Sequence, residues 1–212
     1  MKFRTTILAL SLLFCLTIAV VPSTAQQLYT NGAINGTTDA WNISNFAVSN
    51  SFPLPPMPPC CHIPNAVDFG TWMSPGDVLL SVEISITSSE FGGTTYFDQV
   101  VPVVQSGCVG NQIGFDVCTE TASFSGGPSL LSGGTYWLTL QNATVGNGDP
   151  VYWDENSGPS LASENSLGTI PSESFTIYGS PSNGSTPEPS SILLFGSGAI
   201  ALATLWRRKL HR

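Results

Sequence analysis

The sequence is poor in charge. Only 9% of its 212 residues are Asp, Glu, Lys or Arg, against roughly 25% in typical soluble domains. No lysine or arginine occurs between residues 5 and 206, whereas all 14 acidic residues lie between Asp39 and Glu188. A body without cations cannot neutralise phosphates, which excludes nucleic acid as a direct partner. It cannot form Lys/Arg–carboxylate ion pairs either, so its fold has to depend on apolar burial, sheet hydrogen bonds and disulfides.

Catalytic signatures are also scarce. Between the two ends the chain has a single histidine, His62, no His-Glu-x-x-His pattern, and no Gly-x-Ser-x-Gly before residue 190. These are patterns of zinc hydrolases and of serine hydrolases. We therefore predict a protein that is not an enzyme and that needs no cofactor.

Three acidic residues, Asp149, Asp154 and Glu155, leave an alternative open. Two carboxyl groups facing each other across a groove would suit a glycan-cleaving enzyme, the alternative function. Adjacent residues on a strand point to opposite faces, however, so Asp154 and Glu155 make a poor pair. The same three residues are candidate ligands of a weak Ca²⁺ site, because calcium prefers carboxylate oxygens.

The N-terminus has the features of a secretory signal peptide. Lys2 and Arg4 precede an apolar run over residues 7–21, and small residues, Ser23 and Ala25, stand at the third and first positions before the expected cut. This order of features predicts export through the Sec machinery and removal of residues 1–25 by signal peptidase. The mature chain then begins at Gln26.

A second apolar segment, residues 190–206, lies near the other end. As a helix it would be about 25 Å long, close to the hydrocarbon thickness of a bilayer, about 30 Å. Arg207, Arg208 and Lys209 follow at once and place this end in the cytoplasm by the positive-inside rule. We predict a single transmembrane helix over 190–206, preceded by a flexible polar stalk over 180–186.

Three features in order characterise the segment 187–212: the tripeptide Pro187-Glu188-Pro189, the apolar segment and the terminal basic cluster. Together they resemble the PEP-CTERM sorting signal. The resemblance implies recognition by an exosortase, a membrane-embedded transpeptidase of bacteria that make exopolysaccharide. It further implies cleavage near the tripeptide and release to the cell surface or extracellular matrix of a Gram-negative bacterium. The alternative is a tail that is kept as a plain membrane anchor.

The body between these signals, residues 26–179, alternates with a period of two. Residues 80–87 and 136–141 place an apolar side chain at every second position, which is typical of strands with one buried face. Turn signals rich in glycine and proline separate shorter candidates. These are 46–52, 66–73, 96–104, 114–124, 151–154 and 174–178. Many short strands without a helical stretch predict an all-β fold, an antiparallel jelly-roll-like β-sandwich.

Residues 134–140, 152–155 and 175–179 are also similar to sandwich ectodomains found upstream of this sorting signal. The resemblance implies the fold and no particular activity. The tryptophans are the residues that indicate a binding function, since aromatic faces stack on sugar rings in carbohydrate-binding sandwiches. Trp137 and Trp153 are the candidate contacts with extracellular polysaccharide, although tryptophan is mostly buried in such cores.

Four cysteines lie outside the signal peptide: Cys60, Cys61, Cys108 and Cys118. An even number in an exported chain predicts two disulfides. A bridge between adjacent cysteines is strained, so we expect Cys60 and Cys61 each to pair with Cys108 or Cys118. In the alternative, Cys108 and Cys118 close one hairpin. A metal site of Cys60, Cys61 and His62 is less favoured, because consecutive ligands do not match zinc spacing.

Overall fold

The computed structural model describes residues 25–56 and 61–181, and this part of the chain is all-β. It contains thirteen strands and no helix, hence no helix long and apolar enough to cross a membrane. The strands in chain order are β1 Gln26–Thr30, β2 Ala40–Asn42, β3 Val48–Pro53, β4 Cys61–Met73, β5 Leu79–Ser89, β6 Gly92–Gly110 and β7 Asp116–Ser123. They continue with β8 Leu130–Leu131, β9 Thr135–Val145, β10 Tyr152–Asp154, β11 Ala162–Glu164, β12 Gly168–Ile170 and β13 Phe175–Pro181. The predicted signal peptide over 1–25, except Ala25, and the predicted sorting signal over 187–212 lie outside the described residues. The predicted stalk over 180–186 is wrong at its start, because Ser180 and Pro181 belong to β13 and pair with Ile63 and His62 of β4.

The long strand β6 joins two sets of paired strands. Up to Pro102 it pairs with β5, and from Val103 onward it pairs with β7. The strand order is β1-β13-β4-β7-β6-β5-β9-β3-β11-β12, with β2, β8 and β10 off this path. The antiparallel sheet curls along this order. The all-β antiparallel prediction is confirmed in the described residues, while the jelly-roll-like sandwich stays a prediction.

The core follows from the alternation in β5 and β9. Ile84 and Ile86 of β5 and Leu138 and Leu140 of β9 are completely buried, and register pairs Ile84 with Leu140 and Ile86 with Leu138. Partners in an antiparallel pair place their side chains on the same face. One face of the β5–β9 pair therefore packs against the core. The residues that alternate with these four on both strands lie on the opposite face.

The first and last strands of the body are neighbours. β1 pairs with β13 in antiparallel register, and Gln26 lies opposite Gly179. The other neighbour of β13 is β4, which also pairs with β7, β8 and β10. The start of β1 and the end of β13 are therefore adjacent, at one end of this strand pair.

The expected disulfide pairing is wrong. Cys108 is bonded to Cys118, with their Cα atoms 4.1 Å apart, which is the hairpin alternative. The physical reason is local: β6 and β7 are antiparallel neighbours, and an irregularity between Ser106 and Val109 brings Cys108 opposite the strand that carries Cys118. Cys61 is buried on β4, opposite Leu131 of β8. Cys60 lies outside the described residues.

Candidate functional site

A groove of about 310 Å³ lies on the face of β5 and β9 that is turned away from the core. Register places Ser85 of β5 opposite Thr139 of β9 and Glu83 opposite Gln141. Because these residues alternate with the buried isoleucines and leucines, they point outward. Most of the lining consists of hydroxyl, amide and carboxyl groups: Ser85, Thr87, Thr95, Asp98, Thr139, Gln141 and Asn165.

A tight turn forms one wall of the groove. Phe91 lies between β5 and β6 with a φ of 49°, a left-handed conformation that bulky residues rarely adopt. Its ring is 39% exposed and lines the groove. Gly93 has a φ of 75°, and a Cβ there would lie 2.7 Å from Ser89 Oγ. The chain thus accepts backbone strain in the turn that holds Phe91 beside the polar lining.

The opposite wall comes from the turn between β11 and β12. Asn165 follows β11, and its backbone N–H donates to the carbonyl of Ala47 at 3.0 Å. Both residues line the groove. This hydrogen bond fixes the turn over the outer face, so the groove has walls on two sides and a floor of strand residues.

Two carboxyl groups meet at the edge of the groove. Glu83 is paired with Val100 of β6, and Asp98, two residues earlier on β6, is paired with Ser85. The two acids are therefore diagonal neighbours on one face. Although Asp98 is exposed, partial loss of water around its carboxyl group raises its pKa, and the charge and hydrogen bond of Glu83 raise it further. Asp98 consequently keeps its proton to higher pH than an ordinary aspartate.

Neutral amides hold Glu83 in place. Gln141 Nε2 donates to Glu83 Oε1 at 2.8 Å, and Asn142 Nδ2 donates to Glu83 Oε2 at 2.7 Å. Asn142 is left-handed, with a φ of 51°. Both oxygens of Glu83 are thus oriented by amides that carry no charge, and its like-charged neighbour Asp98 is left unneutralised.

The two tryptophan candidates differ. Trp137 is half-buried on β9 and lies opposite Thr87, which lines the groove. Trp153 is completely buried, and its Nε1 donates to the Ser174 carbonyl at 2.8 Å. The prediction that Trp153 contacts polysaccharide is therefore wrong, because Trp153 is part of the core. For Trp137, which lies beside the groove, contact with polysaccharide stays a prediction.

Asp149, Asp154 and Glu155 each have separate partners. Asp149 accepts from Asn147 Nδ2 at 3.2 Å, and Glu155 accepts from Trp41 Nε1 at 3.1 Å. Within residues 25–56 and 61–181, no three His, Cys, Asp or Glu side chains are arranged to hold a metal ion. The structure does not bring the three predicted calcium ligands together in a metal site.

Asp154 is completely buried and is surrounded by N–H donors. Its Oδ1 accepts from Trp72 Nε1 at 2.7 Å and from the Gly36 backbone at 2.8 Å. Its Oδ2 accepts from the Asn35 backbone at 2.9 Å. These three donors connect β10 to β4 and to the segment between β1 and β2, which is a structural function for this carboxyl group.

Two further buried carboxyl groups, Glu120 and Glu173, were not singled out from the sequence. Thr71 Oγ1 donates to Glu120 Oε1 at 2.9 Å, and burial raises the pKa of Glu120 to about 7. Asn50 Nδ2 donates to Glu173, whose pKa burial raises well above its ordinary value. Glu120 stands in phase with Cys118 and Ala122, a period-two signal that identifies it as inward-facing.

A second, more open cavity of about 540 Å³ lies beside the disulfide. Ile34, Gly36 and Val117 form part of its lining, together with the irregular end of β6. Gly36 is packed so closely that a Cβ would lie 3.0 Å from Val117. The cavity contains no acidic or aromatic lining residue, so it offers less chemistry for recognition than the groove does.

Residues 185–209 match the family model of the PEP-CTERM protein-sorting motif. The chain carries a PEP-CTERM sorting motif. All six predicted sorting residues fall inside this match, although they lie outside the residues described by the structure. These are Pro187, Glu188, Pro189, Arg207, Arg208 and Lys209. The PEP-CTERM motif identifies an exported protein that an exosortase processes and that reaches the cell surface or the extracellular space. No curated protein matches the chain.

Proposed function

We propose that the body is a non-enzymatic surface or matrix protein whose outer groove contacts extracellular polysaccharide after exosortase processing. The observation that carries the proposal is the groove itself, where hydroxyl, amide and carboxyl side chains line a cavity with an aromatic ring at one wall. Its volume is at the lower end of small-molecule sites, about 300–1,000 Å³. An open groove of this size suits one part of a long polymer.

The lining has the chemistry of sugar recognition. Sugar rings present hydroxyl groups at their edges and C–H groups on their faces. Ser85, Gln141 and Asn165 supply hydrogen-bonding groups, while Phe91 supplies an exposed apolar ring that can stack. Half-buried Trp137 extends this surface along β9.

The processing steps complete the proposal. We propose that signal peptidase removes residues 1–25 after Sec export and that residues 187–212 first anchor the chain through a helix over 190–206. The part of the stalk that follows β13, residues 182–186, then presents the tripeptide to the exosortase, which separates the body from its tail. For the architecture we propose a jelly-roll-like sandwich, supported by the passage of β6 between two sets of paired strands.

The test of the groove uses Phe91→Gly in the exported protein. Glycine adopts a φ of 49° without strain, so the variant is expected to be at least as stable as the wild type. Loss of the ring is expected to weaken binding to the producer's polysaccharide by about threefold to tenfold. Ile113→Ala, at a side chain 65% exposed and outside the groove lining, is the control. Unchanged binding by the Phe91→Gly variant, or no binding by the wild type, would refute the proposal that the groove binds polysaccharide.

An exported glycan-cleaving enzyme is the alternative, and the contact between Glu83 and Asp98 is the observation that favours it. A shared proton gives such a pair an acid and a base beside the groove. Release of reducing ends from the polysaccharide, abolished in Glu83→Gln, would replace the binding proposal with this alternative.

A further inference from the structure

The groove has an uncompensated negative charge, and this property indicates which polysaccharide it accepts. Its edge carries Glu83 and Asp98 on neighbouring strands, while the chain has no lysine or arginine between residues 5 and 206. No lysine or arginine of the body can therefore neutralise either acid. Any positive charge that pairs with them has to come from outside.

The two acids differ in what they can still bind. Both oxygens of Glu83 already accept from Gln141 and Asn142. Asp98 is exposed and lines the groove directly. A cation that enters the groove would meet Asp98 first, with Glu83 held behind it in a fixed orientation. Strand register sets the backbone spacing of the two acids before any ligand arrives.

Charge discriminates between three classes of polysaccharide. An anionic polymer is repelled by the pair and by the other acids of the body. A neutral polymer gains hydrogen bonds to the lining but no charge pairing. A polymer with free ammonium groups gains the same hydrogen bonds and, in addition, a charge-assisted one to the carboxyl pair, which is the stronger kind.

We propose that the groove selects polysaccharide with free amino groups, a polymer of partly deacetylated amino sugar, through an ammonium bound between Asp98 and Glu83. The inference rests on the proposed polysaccharide contact and adds the class of sugar. The ammonium group pairs with the two acids in the way that a lysine or arginine side chain of the body would. Sugar hydroxyls of the same unit lie against Ser85 and Gln141.

The experiment compares three probes on the processed exported protein: a fully acetylated glucosamine polymer, the same polymer after partial deacetylation, and a polymer of uronic acid. The deacetylated polymer is expected to bind about tenfold more tightly than the acetylated one at low salt, and the uronic acid polymer is expected not to bind. The preference should weaken as salt is raised, because the pair is exposed.

Two matched variants distinguish binding in the groove from non-specific attraction between the acidic protein and a cationic polymer. Asp98→Asn is expected to bring the deacetylated polymer down to the affinity of the acetylated one. Asp149→Asn, which removes an acid outside the groove lining, is expected to leave the preference intact. An equal loss in both variants would overturn the inference in favour of non-specific charge attraction.

The outcomes also separate this inference from the proposed function. Equal affinity for acetylated and deacetylated polymer overturns the amino-sugar inference and leaves polysaccharide binding standing. Binding to none of the probes, nor to the producer's own polysaccharide, overturns both. Tightest binding to the uronic acid polymer overturns the inference alone.

Discussion

Asp154 and Glu120 are both completely buried in a body without lysine or arginine, yet their surroundings differ. Asp154 accepts three hydrogen bonds from N–H groups, two of them from the backbone of the segment between β1 and β2. Glu120 accepts one hydrogen bond from Thr71. Its Oε2 has no hydrogen-bond partner among the described residues.

The difference shows two ways to bury a carboxyl group when no cation is available. Around Asp154, three neutral donors replace the water that would otherwise hydrogen-bond to the carboxyl oxygens. Around Glu120 the donors are too few, and the raised pKa means that the proton stays on until about pH 7. The first arrangement ties strands together, whereas the second makes stability depend on pH.

Removal of the Asp154 carboxyl group should have the largest effect on stability. Asp154→Ala leaves Trp72 Nε1 and the N–H groups of Asn35 and Gly36 buried without an acceptor. We expect a loss on the order of 4 kcal/mol in the free energy of unfolding, measured in urea at pH 7. Asp154→Asn keeps one oxygen and should lose less. A cost below about 1 kcal/mol for Asp154→Ala would show that the three donors are easily satisfied elsewhere.

The second prediction uses pH to examine Glu120. Below pH 4.5 its carboxyl is protonated in both the folded and the unfolded chain, so burial carries no ionisation cost. Between pH 4.5 and about 7 the unfolded chain loses the proton and the folded chain retains it. Stability should therefore fall as pH rises through this window, by up to about 3 kcal/mol from Glu120.

Glu120→Gln isolates this contribution. The variant should match the wild type near pH 4 and exceed it at pH 8, with urea midpoints measured at both pH values. The raised pKa of Glu173 acts in the same direction, so some pH dependence should persist in the variant. Equal pH profiles for wild type and variant would mean that Glu120 ionises without cost in the folded protein.

Salt should have the smallest effect, because it acts on exposed acids and not on Asp154 or Glu120. Screening of repulsion among the surface carboxylates should raise the melting temperature with NaCl, by an amount equivalent to about 1 kcal/mol or less. CaCl₂ at matched ionic strength should add nothing more, because Asp149, Asp154 and Glu155 do not come together. A calcium-specific rise that Asp154→Asn removes would restore the predicted calcium site.

Period-two alternation was sufficient for the long strands and insufficient for the short ones. It identified β5 and β9, whose faces separate apolar from polar side chains. It missed β1 and the four strands β2, β8, β11 and β12, which at two or three residues are too short to show a period. β10 is equally short but follows an apolar residue, Val151, and was predicted within 151–154. It also ended the sixth strand near residue 104, whereas β6 continues to Gly110 with mostly exposed side chains. Because the side chains of this last part of β6 are mostly exposed, they show no alternation of apolar and polar residues.

The candidate site was predictable only in part. Alternation alone placed Trp137 on the face opposite Leu138, which is where the structure has it. Nothing local indicated that Trp153 would be buried, since that depends on Phe69 and Phe175, which pack against its ring. The contact of Glu83 with Asp98 depends on the register of two strands, which the sequence does not determine before the sheet is known.

The adjacency of β1 and β13 has a consequence for how the body can be attached. Since Gln26 lies opposite Gly179, a short linker can join the two ends without disturbing either strand. New ends can then be opened at the exposed turn Gly146–Gly148 between β9 and β10, the kind of site where circular permutation succeeds. The terminal segments of such a permuted chain would leave the same fold at the turn between β9 and β10. The permuted chain would turn another face of the body toward the surroundings while keeping every strand pair.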